Sequence, residues 1–244
     1  MGVAVSRGHS AALTDLTVLV PPGTPVRSLS AVAYYRLRDL VVTLELPPGA
    51  VLEERQLMER LQLGRTPVRE AVRRLSGEGL VRIFARRGTV VAPVDVRDLT
   101  HVSEVRTDLE ALGAKLAAQR ADSADRSRTR ELLDEIGAAP LTALSATPGP
   151  EPVRSLIRLD QRVHHCVHRA THNRYLQETL SQYLTLSLRL WFLGLERVRR
   201  LEEAITEHRD VLTAVLDGDG EAAEQAARSH VSGFWQEMRR VLTG

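Results

Sequence analysis

The thirteen residues "LGRTPVREAVRRL", 63–75, leave few choices for the chain around them. At 100° per residue, Arg65, Arg69 and Arg73 stand four apart on one stripe, and Val68, Ala71 and Leu75 share the adjacent face. A helix patterned in this way docks by one side and presents guanidinium groups on the other. Pro67 falls in the first turn, where its missing N–H costs nothing and its fixed φ helps to start the helix. Gly64 takes the cap position that a hydroxyl or carboxylate residue usually fills.

The flanks say what this helix belongs to. Before it, Leu29, Val32, Ala33, Leu37, Leu40, Val41 and Leu44 recur at helical spacing, and "PPG" at 47–49 ends that run. A short helix from Glu53 to Leu61 turns Leu57 and Leu61 inward, against Val68, Ala71 and Leu75. The arginine-bearing helix extends to about Glu78. After it, "LVRIF" and "GTVVA" are β-rich runs separated by "ARRG", which predicts a small hairpin. Helix, helix–turn–helix and hairpin over 27–92 make a winged helix-turn-helix. Residues 1–26 lack sustained periodicity and end in "PPGTPV", so a mobile extension is expected there.

Beyond "APVDVRD" the periodicity is helical throughout. Helices are predicted near 96–121, 125–137, 153–170, 174–193, 195–217 and 219–242. A Pro/Gly-rich break covers 137–152, and "DGDG" at 217–220 joins the last two helices tightly. Six helices with short connections fold most simply as an antiparallel bundle over 96–244. The fold expected is therefore mainly α, a winged head followed by a six-helix body. Aromatic residues make up 4% of the chain, which suits a core of Leu, Val and Ala in packed helices.

Composition excludes several classes of protein. One cysteine, Cys166, rules out a disulfide framework and argues against a cysteine-based zinc site. No apolar run approaches the roughly 20 residues that a membrane span requires, so no membrane partner is expected. The first 26 residues do not form a secretory signal, and the cytoplasm is the expected compartment. The net charge of +2 is unevenly spread: residues 27–91 carry 12 Arg against 7 acidic residues. A basic head on a separate body fits a polyanionic partner.

Arg65 and Arg69 then have a chemical purpose. An arginine fork matches the O6 and N7 acceptors of guanine, a pairing that discriminates between bases by about 1–3 kcal/mol. Arginines in the first two turns suit a helix that enters the major groove by its N-terminus. The alternative is an arginine-rich surface helix, which the preceding helix, short turn and basic hairpin weigh against.

The body holds seven of the eight histidines. Asp160 and His164, four apart, share a helix face. His208 and His230 lie about ten residues either side of "DGDG", so an antiparallel hairpin brings them to about the same height. One carboxylate and three imidazoles could converge on Zn²⁺, Mn²⁺, Ni²⁺ or Fe²⁺ with coordination positions left open. Spacing leaves two alternatives: His168 could take the place of His164, or the histidines could simply be scattered. An Asp/His₃ site can also activate water, which makes a metal-dependent hydrolase or lyase the rival reading. No HExxH motif supports that rival.

The stretch "LPPGAVLEERQLMERLQLGRTPVREAVRRLSGEGLVRIFARRGTVV", 46–91, resembles the DNA-binding domain of the GntR family of bacterial transcription regulators. Its signature is similar to PG-x-x-L-x-E-x-x-LA followed by SRTPVREAL-x-RL-x-x-EGL and a glycine-containing wing. The resemblance implies that Arg55, Arg65, Thr66, Arg69, Arg87 and Gly88 contact double-stranded operator DNA, with Arg65 and Arg69 nearest the bases. Met58 stands where alanine is usual, and Gly64 where serine is usual.

"EVRTDLEALGAKLAAQ", "DQRVHHCVHRATHNRYL" and "EEAITEHRDVLTAVLDGDGEAAEQAARSH" resemble the FCD effector domain of the FadR subgroup. That resemblance implies a divalent metal on Asp160, His164, His208 and His230, and a carboxylate-binding role for Arg106. It also implies that Asn173 stands at the pocket mouth. "THN" at 171–173 departs from a commoner SGN, so His172 is expected to alter that pocket. Spacing alone offers Arg106 a plainer role, an i,i+4 ion pair with Glu110. Together the two resemblances imply a homodimeric repressor, not an enzyme, whose effector is a small organic acid such as a carboxylate or sugar acid.

Overall fold

The computed structural model describes residues 26–85, 88–95, 97–140, 150–194 and 201–243, which divide between two compact units, residues 1–95 and 96–244. All of the expected extension except Val26 lies outside the described residues, as do 141–149 of the break.

The first unit opens with α1 (Leu29–Val42), capped by the Ser28 hydroxyl, which accepts from the Ala31 amide at 3.1 Å. Then come β1 (Val51–Leu52), α2 (Glu54–Leu61), α3 (Arg65–Gly77), β2 (Val81–Phe84) and β3 (Gly88–Val91). Val32, Leu37 and Val41 of α1, Leu57 and Leu61 of α2, and Val68, Ala71 and Leu75 of α3 are all buried. The turn between α2 and α3 closes on Gln62 in the left-handed region, at φ 54° and ψ 42°. Its chain direction is fixed by the Leu63 amide, which donates to the Met58 carbonyl at 3.2 Å.

The hairpin of β2 and β3 pairs Val81 with Val91 and Phe84 with Gly88. A third strand, β1, adds antiparallel to β3, so the sheet order is β1-β3-β2. Its two residues are too few to leave a period in the sequence, and only the ladder reveals them. The Gly49 amide donates to Val91 O at 3.0 Å, and Val91 N donates to Ala50 O at 2.9 Å. Gly49 sits at φ 81°, a turn conformation that a Cβ would strain.

The second unit consists of α4 (Asp98–Arg120), α5 (Ser123–Ala138), α6 (Pro150–Ala170), α7 (Arg174–Gly194), α8 (Leu201–Asp217) and α9 (Gly220–Thr243). The helix α4 packs chiefly along α9 and also meets α6, α7 and α8. Small residues make that possible: Ala111, Ala114 and Ala117 are wholly buried, and a Cβ on Gly113 would lie 3.0 Å from Leu180 Cδ1. Asp122 and Asp125 form a capping box that starts α5. In the "DGDG" turn Gly218 takes φ 76°, and Asp219 Oδ1 accepts from the Glu221 and Ala222 amides to begin α9. The helix α6 starts at Pro150, earlier than the expected 153, because prolines are tolerated in a first helical turn. Among the described residues, no helix is long and apolar enough to cross a membrane.

Candidate DNA interface and candidate metal centre

In the head, Gly64 is the N-cap of α3, at φ −72° and ψ 172°, and offers no side-chain cap. Arg65, Thr66, Arg69 and Arg73 are exposed along its outer side. Arg65 and Arg69 share one acceptor: their Nε atoms lie 2.7 Å and 2.5 Å from the two carboxylate oxygens of Glu54, at the start of α2. The hydrogen bond from Arg69 leads in holding the Glu54 carboxyl below its usual range. Glu54 therefore sets both forks side by side at the N-terminus of α3. Sequence reading missed it, since Glu54 and the arginines meet only across the turn. Arg55 is 89% exposed and pairs with Glu59 at 3.0 Å. Gly88 opens β3 at φ 80°, a wing position that suits glycine, while Arg87 lies outside the described residues.

Among the described residues a Cβ on Gly64 would meet nothing within 4 Å, so a serine fits without adjustment. Gly64→Ser is expected to tighten DNA binding about two- to fivefold on every sequence, the worth of one hydrogen bond to a phosphate. Equal affinities in a salt-matched titration would show that the absent hydroxyl is irrelevant.

In the body, α6, α8 and α9 bring Asp160, His164, His208 and His230 together. All four are buried, and one ligand atom from each lies within 4.8 Å of the others. Asp160 Oδ1 is 3.8 Å from His164 Nε2 and 3.7 Å from His208 Nε2. The His208 and His230 ring centroids are 4.2 Å apart, closer than the 5.0 Å between His164 and His208.

The carboxylates around them orient the rings. His230 Nδ1 faces Glu207 Oε2 at 3.0 Å, which leaves its Nε2 free for the cluster. His164 Nδ1 faces Glu110 Oε2 at 3.3 Å, and its Nε2 accepts from Arg106 Nη2 at 3.2 Å. His168, the alternative to His164 on spacing, is fully buried and faces Glu110 with its Nε2 at 2.9 Å. It stands behind His164, where Glu110, His164 and His168 form a second grouping. Sequence reading missed Glu110 and Glu207 as orienting groups, because each reaches its histidine across a helix interface.

His208 differs from the others: both of its ring nitrogens are buried, and among the described residues neither has a hydrogen-bond partner. A buried polar atom left unpaired costs about 1–3 kcal/mol, and a divalent ion would supply a partner for the one His208 nitrogen that carries a lone pair. The donor set of one carboxylate and three imidazoles therefore fits such an ion.

Burial pushes the imidazoles of His168, His208 and His230 below their usual range. Burial alone would raise Glu110, but the facing imidazoles of His164 and His168 outweigh it and hold the carboxyl well below its usual range. The three histidines in an unfolded chain take up protons near pH 6.5, whereas the folded imidazoles stay neutral below that. Below pH 6.5 the unfolded state thus binds more protons, and stability falls as acidity rises. In chelator, the urea midpoint of the body is expected to drop from pH 6.5 downwards. The unfolding free energy behind it falls by up to about 1.4 kcal/mol per pH unit for each histidine. A midpoint that is flat across this range would contradict neutral buried imidazoles.

Arg106 of α4 is 4% exposed, with Nε 3.2 Å from Glu110 Oε1. The ion pair expected from spacing is present, but inside the bundle and in contact with the histidine cluster. Arg106, Asp160, His164 and His230 share the wall of one partly open pocket. Asn173 is placed elsewhere: its side-chain oxygen accepts from the Tyr175 and Leu176 amides at 3.2 and 3.3 Å, capping α7, and it does not line this cavity. His172 faces Asp125 at 2.7 Å, near the start of α5, and is likewise absent from the cavity wall.

Two family models match the chain: residues 29–91 fit bacterial regulatory proteins of the gntR family, and residues 101–233 fit the FCD domain. The chain is 27% identical over 209 residues to an uncharacterized HTH-type transcriptional regulator, YdhC, of Bacillus subtilis, covering 86% of this chain and 90% of that protein. It is 22% identical over 217 residues to the HTH-type transcriptional repressor RspR of Escherichia coli, covering 89% and 92% respectively. The galactonate operon transcriptional repressor of Escherichia coli is 27% identical over 218 residues, covering 80% of this chain and 90% of that protein. Among solved structures, Escherichia coli McbR/YncC superposes with a TM-score of 0.73 at 21% identity, covering 87% of this chain and 98% of that one. A likeness at that identity speaks for the fold.

Proposed function

Because this chain belongs to the GntR family of bacterial transcription regulators and carries its FCD domain, we propose that it is a cytoplasmic, homodimeric repressor whose operator binding is modulated by a small carboxylate held in the body. Members of this family are transcription regulators and not enzymes, which sets the hydrolase or lyase rival aside. In the dimer two winged heads straddle adjacent half-sites, with Arg65 and Arg69 at base edges and Arg55, Thr66, Arg87 and Gly88 along the backbone.

Asp160, His164, His208 and His230 would hold one divalent ion. When bound, that ion supplies a positive charge and open coordination positions that a carboxylate can share. The buried nitrogens of His208 in this donor set, unpartnered among the described residues, are the observation that carries the reading. Arg106 supplies the second positive charge, from the same cavity wall. An acid that binds one arrangement of the heads better than another shifts the population and so alters DNA affinity.

Elemental analysis of the purified chain is the test, with one divalent ion per chain expected. No stoichiometric metal, together with an unaltered acid response in His208→Ala, would remove the ion from the account. A second reading, a metal-free pocket, is favoured by one observation: the Arg106 N–H already occupies the Nε2 lone pair of His164. Under that reading the acid binds Arg106 and the histidines directly.

A further inference from the structure

Resting on the reading of Arg106 as a carboxylate anchor, we propose that the effector is a monocarboxylate with an apolar aliphatic or aromatic body, and that sugar acids and dicarboxylates are poor ligands. Apart from Arg106, Asp160, His164 and His230, the cavity wall comes largely from two apolar stripes. Leu184, Leu188 and Trp191 follow one another at helical spacing along α7, and Phe234 and Met238 lie four apart on α9. The Trp191 and Phe234 rings meet edge to face, with centroids 5.9 Å apart and planes at 88°. These side chains can match a hydrocarbon body, but they cannot replace the water that a polyol gives up.

The Ser187 hydroxyl and the Glu207 and Glu237 carboxylates in the wall are already engaged. The Ser187 hydroxyl donates to Tyr183 O at 2.7 Å, Glu207 holds His230, and Glu237 pairs with Arg240 at 2.6 Å. A sugar acid would therefore bury hydroxyls without partners. A second carboxylate would meet Glu207 and Glu237, whose charge repels it. Trp191 is buried, and among the described residues its Nε1 has no acceptor. A single carbonyl, ether or phenolic oxygen on an otherwise apolar body would satisfy it.

The experiment is isothermal titration of the full-length protein, supplied with one equivalent of Zn²⁺, with butanoate, hexanoate, octanoate, phenylacetate, gluconate and glutarate. Affinity is expected to rise roughly fourfold per methylene along the alkanoates until the cavity is filled. Phenylacetate should bind at least about tenfold more tightly than gluconate or glutarate. Leu188→Asn should flatten the alkanoate series while leaving zinc stoichiometry unchanged. A flat series in the parent, or gluconate binding as tightly as phenylacetate, overturns the inference and leaves the carboxylate reading standing. Silence of every acid, with parent and Arg106→Ala indistinguishable, overturns the carboxylate reading as well.

Discussion

Zn²⁺ supplied to the metal-stripped protein at about a thousand times its dissociation constant is expected to raise the melting temperature of the body by about 10 °C. Such an excess stabilises the folded state by about 4 kcal/mol, and a unit of this size shifts by roughly 2–4 °C per kcal/mol. The effect follows from the cluster itself. Four buried donors within 4.8 Å of one another are assembled by α6, α8 and α9, so a shared ion would tie three helices together. His208→Leu separates this account from a merely structural histidine. In chelator the variant should be no less stable than the parent, since it removes two buried nitrogens that have no partner among the described residues. With Zn²⁺ present it should lose most of the thermal shift. A variant that is much weaker in chelator and still stabilised fully by Zn²⁺ would place the role of His208 in packing.

Arg69→Ala is expected to weaken binding to the operator about 5- to 150-fold, with little change on unrelated DNA. That range corresponds to the roughly 1–3 kcal/mol carried by one arginine–guanine pair. The geometry supports a shared reader: Arg65 and Arg69 are held on the two oxygens of Glu54 and so present paired forks from the first two turns of α3. Arg55 has a different place, exposed on α2 and paired with Glu59. Its removal should lower affinity for all sequences alike and reduce the salt dependence by about one counterion. A selection from random DNA on the two variants distinguishes these outcomes. If Arg69→Ala kept the parent's base preference, the reader would lie elsewhere.

The head was legible in the sequence because its determinants are local. The arginine stripe, the apolar face of Val68, Ala71 and Leu75, and the turn before Gly64 all follow from helical period and cap chemistry. The strand Val51–Leu52 was not legible, because two residues carry no period and owe their conformation to β3. In the body, Asp160 and His164 at i and i+4, with His208 and His230 placed evenly about "DGDG", foretold a shared height along the bundle. Their orienting carboxylates did not show. Glu110 meets His164 and His168 across α4 and α6, and Glu207 meets His230 across α8 and α9. Asn173 teaches the converse: an Asn just before a helix is a cap signal, and the structure uses it as one.

The central claim is that a site in the body governs what the head does on DNA. It is tested most directly by the affinity of the full chain for its selected operator at one fixed salt concentration, with and without a carboxylate shown to bind. The metal-loaded parent should change operator affinity at least about fivefold when that acid is present. Chelation, or Arg106→Ala, should abolish the change while leaving DNA binding itself intact. An operator affinity indifferent to the bound acid, or a change that survives both chelation and Arg106→Ala, would contradict the account.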